Sequence, residues 1–386
     1  MEKPNVFVPL GGAQSVGDSC YFVRMNGVNI LLDAGAAVHE GQIEYPDYEY
    51  LLRAGILESF SEINLILISH AHLDHCRGLP VLTNLAKNAE IWTTETTWKL
   101  VELQLQRGFH RDLHASNLWV TRIQERVEFL DFMQERSFAD LKITCLQSGH
   151  IPGAAMFWIQ SRNSSLLYTG DYSLNQMPLT GSAILPEDIH PDALILCGLH
   201  ALDEYSCTRS GLSGLLGAIQ SHIDAGEAVN CLIGQLSKGV EFLKIILDEI
   251  DGLENIYLDT RVMDTVHALE QSGIPILDKK CRMLAGEGDD VFDAPHTITI
   301  ASDLRCFPLY IDPWIVDFTL HESYLQMKEI LERLNAEQVF IVHCDPRRQS
   351  GRPIDQRLLN EGRCFSQIEM PQKKEIFLLP FQPASC

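Results

Sequence analysis

Short apolar runs rich in β-branched and aromatic residues, separated by glycine-containing turns, open the chain. NVFVPLGG, SCYFVRMN and VNILLDAG read as successive strands of a meander, and INLILISH as a further strand that ends on a histidine. From there to about residue 200, helical periodicity around 78–88 and 94–106 alternates with the strand-like runs EIWTT, DLKITCLQ, MFWIQS, SLLYTGD and DALILC. Strands with helices interspersed predict layered sheets covered by helices, not a bundle.

Between about 199 and 305 the texture changes to βα alternation. GLSGLLGAIQSHIDAG reads as a helix closed by glycine, AVNCLIG as a strand, KGVEFLKIILDEI as a helix, NIYLD as a strand, MDTVHALEQSG as a helix and TITIAS as a strand. This predicts a second, smaller α/β unit. After it come an amphipathic helix, SYLQMKEILERLN, and a strand, EQVFIVH, that again ends on a histidine.

At 386 residues and 46% hydrophobic content, the chain can bury a core for two domains or for one domain carrying a large insertion. Its first residues, MEKPNVFVPLGG, lack the basic and apolar regions of a secretion signal, and no uncharged apolar run reaches eighteen residues. The eleven cysteines are odd in number, scattered and without C-x-x-C pairing, which fits reduced thiols. These features lead us to expect a cytoplasmic protein that does not enter a membrane. The formal charge of −22 changes the picture for substrates, because a protein that grips nucleic acid through phosphates normally carries a basic face. Any anionic substrate must therefore be held by a metal site and a few local cations.

The chemistry concentrates in LILISHAHLDHCRGLP, where His70, His72, Asp74 and His75 follow the order H-x-H-x-D-H. Alternate residues at a strand end project to one side, so His70 and His72 can reach one ion while Asp74 and His75, on the following turn, face a second. Imidazole and carboxylate suit zinc and similar divalent ions. Four candidates on one loop cannot complete two open sites, and other strand ends supply more. SGHIPGAA places His150 between Gly149 and Gly153, which permit a sharp bend. LLYTGDYS places Asp171 where a carboxylate can bridge two ions, and VFIVHCDP places His343 at a third strand end.

With these motifs in place, the sequence resembles the metallo-β-lactamase fold and specifically its β-CASP branch, the family that includes ribonuclease J and the endonuclease of eukaryotic pre-mRNA 3′-end cleavage. The likeness runs from PLGGAQSVGDSCYFV through LLDAG, SHAHLDH, SGHIPGAA and YTGD. It continues through GQLSKGVEFLKIIL and IYLDTRVMD to FTLHESY and VFIVHCDP. It implies an α/β fold, an αββα metallo-β-lactamase sandwich (1–198 and 306–386) interrupted by a shortened β-CASP-like α/β domain (199–305). It also implies that His70, His72 and His150 bind one zinc ion and that Asp74, His75 and His343 bind the other, with Asp171 bridging. Manganese is an alternative metal. Asp33 would orient a ligand histidine, and His321 would face the leaving oxygen.

Such a site implies a dinuclear-zinc hydrolase, a phosphodiesterase or nuclease acting on RNA or single-stranded DNA by metal-activated water. In that scheme Asp74 accepts the proton of the attacking water and protonated His321 assists the departing oxygen. Arg77 and, past the last ligand, Arg347, Arg348 and Arg352 are the candidate phosphate contacts.

Two departures from the family keep other readings open. The strand that should end in an acid supporting the late histidine ends in Cys197, leaving Asp203 or Glu204 as candidate substitutes. The inserted unit is acidic, with eight Lys and Arg against eighteen Asp and Glu between 199 and 305, and so repels a polyanion. The alternatives are a metallo-hydrolase of a small nucleotide or ester, and a non-catalytic β-CASP-type partner subunit. A homodimer or a partner subunit both fit the sequence.

Overall fold

A computed structural model describes residues 3–108, 120–200, 209–234, 236–284, 289–344, 358 and 367–380. The chain divides into two compact units. The first comprises Met1–Leu174, Ala183–Tyr205 and His321–Cys386, and the second Asn175–Ser182 and Ser206–Leu320.

The first unit contains two seven-stranded sheets. One runs in the order β21 (Phe377–Leu378), β1 (Val6–Gly11), β2 (Cys20–Met25), β3 (Val28–Leu32), β6 (Leu65–Leu67), β7 (Glu90–Thr93) and β8 (Val127–Phe129). The other runs β20 (Ile368–Glu369), β19 (Gln338–Val342), β13 (Ala193–Cys197), β12 (Ser165–Tyr168), β11 (Ala155–Gln160), β10 (Leu141–Gln147) and β9 (Glu135–Phe138). A separate hairpin pairs β4 (Ala37–His39) with β5 (Gln42–Glu44).

Alternation along the strands builds the layers. Ile143 and Cys145 of β10, Leu166 and Tyr168 of β12, and Phe340 and Val342 of β19 share one buried cluster with Phe7, Tyr21, Ile30, Leu32, Leu67 and Trp92 of the first sheet. Their neighbours Leu146, Leu167, Val339 and Ile341 point the other way and pack with Tyr324, Met327, Ile330, Leu331 and Leu334 of the helix Tyr324–Leu334. A strand buried on both faces reads as a continuous apolar run, which is how β3 and β13 appear in the sequence. The helix begins where Ser323 accepts a hydrogen bond from the Gln326 N–H and ends at Asn335 in the left-handed region. Each fully buried Leu or Ile side chain in these layers contributes about 1.5–3 kcal/mol.

The second unit holds a parallel sheet in the order β16 (Cys281–Met283), β15 (Asn255–Leu258), β17 (Thr297–Ala301), β14 (Val229–Ile233) and β18 (Trp314–Val316). Helix Ser213–Asp224 leads into β14, and helices Ser237–Glu249 and Thr260–Gln271 supply the crossovers from β14 to β15 and from β15 to β16. The return to the first unit comes at His321 instead of the expected 306, because Trp314–Val316 adds a fifth strand beside β14. At three residues that strand is too short to show a period. Residues 175–182 join this unit because Glu241, fully buried on its helix, accepts hydrogen bonds from the N–H groups of Leu179 (3.1 Å) and Thr180 (2.9 Å).

Among the described residues no helix is long and apolar enough to cross a membrane, and eight cysteines are free thiols.

Candidate metal centre

The candidate ligands sit where strands of the first unit end. Strand β6 stops at Leu67, and the chain passes through His70 to His72, which occupies the N-cap position of a single helical turn, Leu73–Cys76, carrying Asp74 and His75. This turn is held against the ends of β2 and β3. Ser19 N–H donates to Asp74 O at 2.8 Å and Ala34 N–H to His75 O at 2.8 Å. Gly35 is required there, since a Cβ on it would stand 1.7 Å from the Asp74 carbonyl oxygen. His150 lies in the bend between β10 and β11, where Gly149 and Gly153 take φ of 71° and 82°. Asp33 and His343 follow the ends of β3 and β19 with φ of 60° and 53°. Left-handed backbone at two non-glycine residues costs roughly 1–3 kcal/mol each and marks places where the surrounding structure imposes a side-chain direction.

His70, His72 and His150 converge, with His72 Nδ1 3.2 Å from His70 Nε2 and 3.0 Å from His150 Nε2. Asp171 stands behind them, its Oδ2 3.7 Å from His70 Nε2 and 3.8 Å from His150 Nε2. The same carboxylate faces the second group, with Oδ1 3.5 Å from His75 Nε2 and Oδ2 3.9 Å from His343 Nε2. His343 Nε2 is also 3.7 Å from Asp74 Oδ2. His321 is near as well, its Nδ1 3.7 Å from Asp171 Oδ2 and its ring 4.3 Å from that of His150.

Ligand atoms bound to one zinc ion at about 2.0–2.2 Å stand about 3–4 Å from one another, the spacing found here. The residues present fit such ions. His70, His72, His150 and Asp171 form one set of donors within 4.8 Å of each other, and Asp74, His75 and His343 form another. His343 Nε2 is buried and makes no hydrogen bond among the described residues, although two carboxylates face it. A buried polar atom without a partner is costly, and an ion satisfies it.

Asp33 forms a third grouping with His70 and His75, but its acceptors are already engaged. Its Oδ1 accepts from Ser69 N–H at 2.6 Å. Its Oδ2 accepts from Ser69 Oγ at 2.7 Å and from Tyr168 Oη at 2.5 Å, and it pairs with His75 Nδ1 at 2.7 Å. Asp33 therefore turns His75 Nε2 toward Asp171. Through Ser69, whose Oγ lies 2.9 Å from His70 Nδ1, it also fixes the His70 ring.

The charges follow from burial and these neighbours. Burial pushes the imidazoles of His70, His72 and His321 down toward the neutral form that binds a metal. Burial opposes protonation of His75 too, but Asp171, Asp33 and Asp74 outweigh it and raise His75 to about 10. Against burial, His343, His75, His70 and His321 hold the Asp171 carboxyl well below its usual range.

Sequence reasoning missed two contributors and marked a third, Cys197, only as a missing acid. Buried Ser19 places its Oγ 3.0 Å from His343 Nδ1 and 3.4 Å from His75 Nε2, yet it sits in a turn with no pattern to single it out. Tyr168 has the pattern of a core residue, and its contact with Asp33 is distant in sequence. The Cys197 thiol donates to Asp171 Oδ1 at 3.1 Å. Arg77, partly buried, is the C-cap of the His75 turn, and no hydrogen bond or ion pair joins its guanidinium to the cluster. Arg347, Arg348 and Arg352, and likewise Asp203 and Glu204, lie outside the described residues.

The family profile of the Beta-lactamase superfamily domain matches residues 28–233, more than half of the chain. The chain belongs to that superfamily. Its curated relatives include two endoribonucleases and a cleavage and polyadenylation specificity factor. It is 27% identical over 259 residues to Endoribonuclease YSH1 of Gibberella zeae, covering 64% of this chain and 30% of that protein. It is 30% identical over 252 residues to Endoribonuclease YSH1 of Yarrowia lipolytica (63% and 29%). It is 29% identical over 256 residues to Cleavage and polyadenylation specificity factor 73 of Drosophila melanogaster (62% and 35%). The matched segment thus spans about a third of the length of these curated relatives. The crystal structure of a protein of unknown function from Enterococcus faecalis V583 superposes with a TM-score of 0.67 at 12% identity, covering 98% of this chain and 100% of that one. That superposition shows that the two chains share a fold over nearly their whole length.

Proposed function

We propose that this chain is a β-CASP-type dinuclear-zinc phosphodiesterase that cuts RNA, the substrate named by the endoribonucleases it resembles, or single-stranded DNA. The observation that carries the reading is Asp171, a single buried carboxylate within 3.9 Å of nitrogens from both donor groups. His70, His72 and His150 would hold one ion and Asp74, His75 and His343 the other, with the Asp171 carboxylate available to both. When bound, two such ions supply Lewis acidity at the phosphoryl oxygens and a water of lowered pKa.

The chain's own groups do the rest. Asp74, the one donor carboxylate with exposed surface, takes the proton from the attacking water. Burial keeps His321 neutral in the free protein, and it delivers a proton to the departing oxygen only once the negative charge of a bound phosphodiester offsets that burial. Its place is set by the loop before the helix Tyr324–Leu334, whose cap is Ser323, so the imidazole is not spent on capping. Asp33 and Ser69 keep the ligand rings in one orientation. Arg77, next to the His75 turn, is the described cation available to a phosphate chain, and Arg347, Arg348 and Arg352 are sequence candidates outside the described residues.

The acidity of the inserted unit favours a second reading, a metallo-hydrolase of a small nucleotide or ester. Retention of every donor argues against a non-catalytic subunit. The deciding experiment is hydrolysis of single-stranded RNA, single-stranded DNA and bis-p-nitrophenyl phosphate by zinc- or manganese-loaded protein, beside an Asp74→Ala/His75→Ala double variant. Polynucleotide cleavage that disappears in the variant is the expected result. Cleavage of the small diester alone moves the assignment to the small-substrate reading, and metal binding without any turnover overturns the hydrolase.

A further inference from the structure

The β-CASP likeness calls for an acid at the end of β13 in support of His321, and the chain has Cys197 there. Cys197 is buried, with its N–H donating to Thr169 Oγ1 at 3.0 Å and its Sγ–H to Asp171 Oδ1 at 3.1 Å. The thiol thus donates to a carboxylate that is itself buried. A carboxylate in its place would stand against Asp171 with like charge in a buried setting.

A carboxylate is nevertheless present in this pocket, on a different element. Glu322 follows His321 directly and is fully buried. Its Oε1 accepts the His200 N–H at 3.0 Å, tying down the segment that continues β13. Tyr324, two residues past Glu322, packs in one buried cluster with Tyr172 and Cys197. The segment that Glu322 anchors brings the His200 ring to 5.3 Å from the His321 ring, which meets His150 at 4.3 Å. Neither Glu322 nor His200 stands out in the sequence.

We propose that Glu322 is the positioning carboxylate of this site: it replaces, from the histidine side of the pocket, the acid missing at Cys197, and holds His200 against His321. Cys197 meanwhile keeps Asp171 hydrogen-bonded without adding charge. The pocket thus tolerates one supporting carboxylate, at 322 or at 197, and not both. The effect on catalysis rests on the hydrolase reading, whereas the exclusion between the two positions does not.

The test is a double-mutant cycle on the full zinc-loaded chain with Cys197→Asp, close to isosteric, and Glu322→Gln, which keeps an acceptor for the His200 N–H and removes the charge. Cys197→Asp should lower the melting temperature by about 3–6 °C more in the native background than in the Glu322→Gln background. Equal losses in both backgrounds overturn the proposal.

A second readout separates positioning from simple structural support. Nitrophenolate leaves without a proton, so Glu322→Ala, which removes the acceptor that holds the His200 N–H, should slow cleavage of single-stranded RNA by about 10- to 100-fold while changing bis-p-nitrophenyl phosphate hydrolysis by less than about threefold. Adding Cys197→Asp should recover part of the RNA activity. A parallel loss on both substrates, or none on either, also overturns the proposal. If the wild-type protein turns over neither substrate, the hydrolase reading falls, and the melting cycle still decides whether Glu322 stands in for the acid.

Discussion

His70, His72 and His150 approach one another to 3.0 and 3.2 Å, whereas in the other donor group His343 Nε2 and Asp74 Oδ2 stand 3.7 Å apart. Burial governs the first group and pushes His70 and His72 toward neutrality. Carboxylates govern the second and raise His75 to about 10. The first group also has a bend fixed by paired hydroxyls, since Thr94 Oγ1 and Thr97 Oγ1 both donate to Gly153 O, at 2.7 and 2.8 Å. The second includes Asp74, whose side chain is 30% exposed and therefore open to water. One half of the centre is ready to bind a metal, and the other must first give up a proton. The difference comes from which neighbours each imidazole keeps, since both halves draw on the same residue types.

The change that should erase this asymmetry altogether is Asp171→Ala. It removes the carboxylate that both groups share, so neither binding step should survive at its native strength and turnover should fall below detection. Equilibrium dialysis against zinc measures it directly. Near-normal metal content would show that Asp171 supports the histidines without bridging ions.

A smaller and more selective effect separates the halves. His150→Ala should abolish the tighter step of a zinc or cobalt titration and leave the weaker one, and His343→Ala should do the reverse. Competition with a chromophoric chelator resolves the two. Loss of both steps in either variant would mean that the groups fill as one cooperative unit and that the comparison is drawn too sharply.

Legibility in the sequence follows a similar divide. The motif H-x-H-x-D-H, His150, Asp171, His321 and His343 could be found because each closes an apolar run, and strand ends converge in a layered fold. The major strands and helices were legible for the same reason, through periods of two and 3.6. Strands such as β18 and β21, with three and two residues, fall below any period, which is why the second unit was expected to end too early. Ser19, Tyr168 and Glu322 were illegible because their roles lie in contacts made across the fold. Glu241 looks like a solvated helix residue and is fully buried on two backbone N–H groups. Sequence pattern locates groups that act from strand ends, and it is silent on groups that act through a neighbour.

The smallest expected effect is in the proton balance, and it tests the comparison most directly. In the metal-free protein His75 is raised from 6.5 to about 10 by Asp171, Asp33 and Asp74 against the pull of burial. A raised histidine stabilises the fold fully below about pH 6.5 and loses that contribution as pH climbs through 10. Asp171 and Asp74 are depressed, so their contribution is present above the ordinary carboxylate value of 3.8 and is lost as pH falls below it. His70, His72 and His321 are depressed by burial and so cost stability as pH falls below 6.5, and the metal-free protein should therefore melt highest near about pH 7 and decline toward both pH 5 and pH 10. Zinc should flatten the alkaline decline, because binding removes the His75 proton and substitutes for it. At pH 7 the weaker zinc step should release about one proton more than the tighter step, read from calorimetry in buffers of different ionisation enthalpy. Equal proton release in the two steps would mean that His75 does not distinguish the halves, and the asymmetry would then have to arise from the exposure of Asp74 alone.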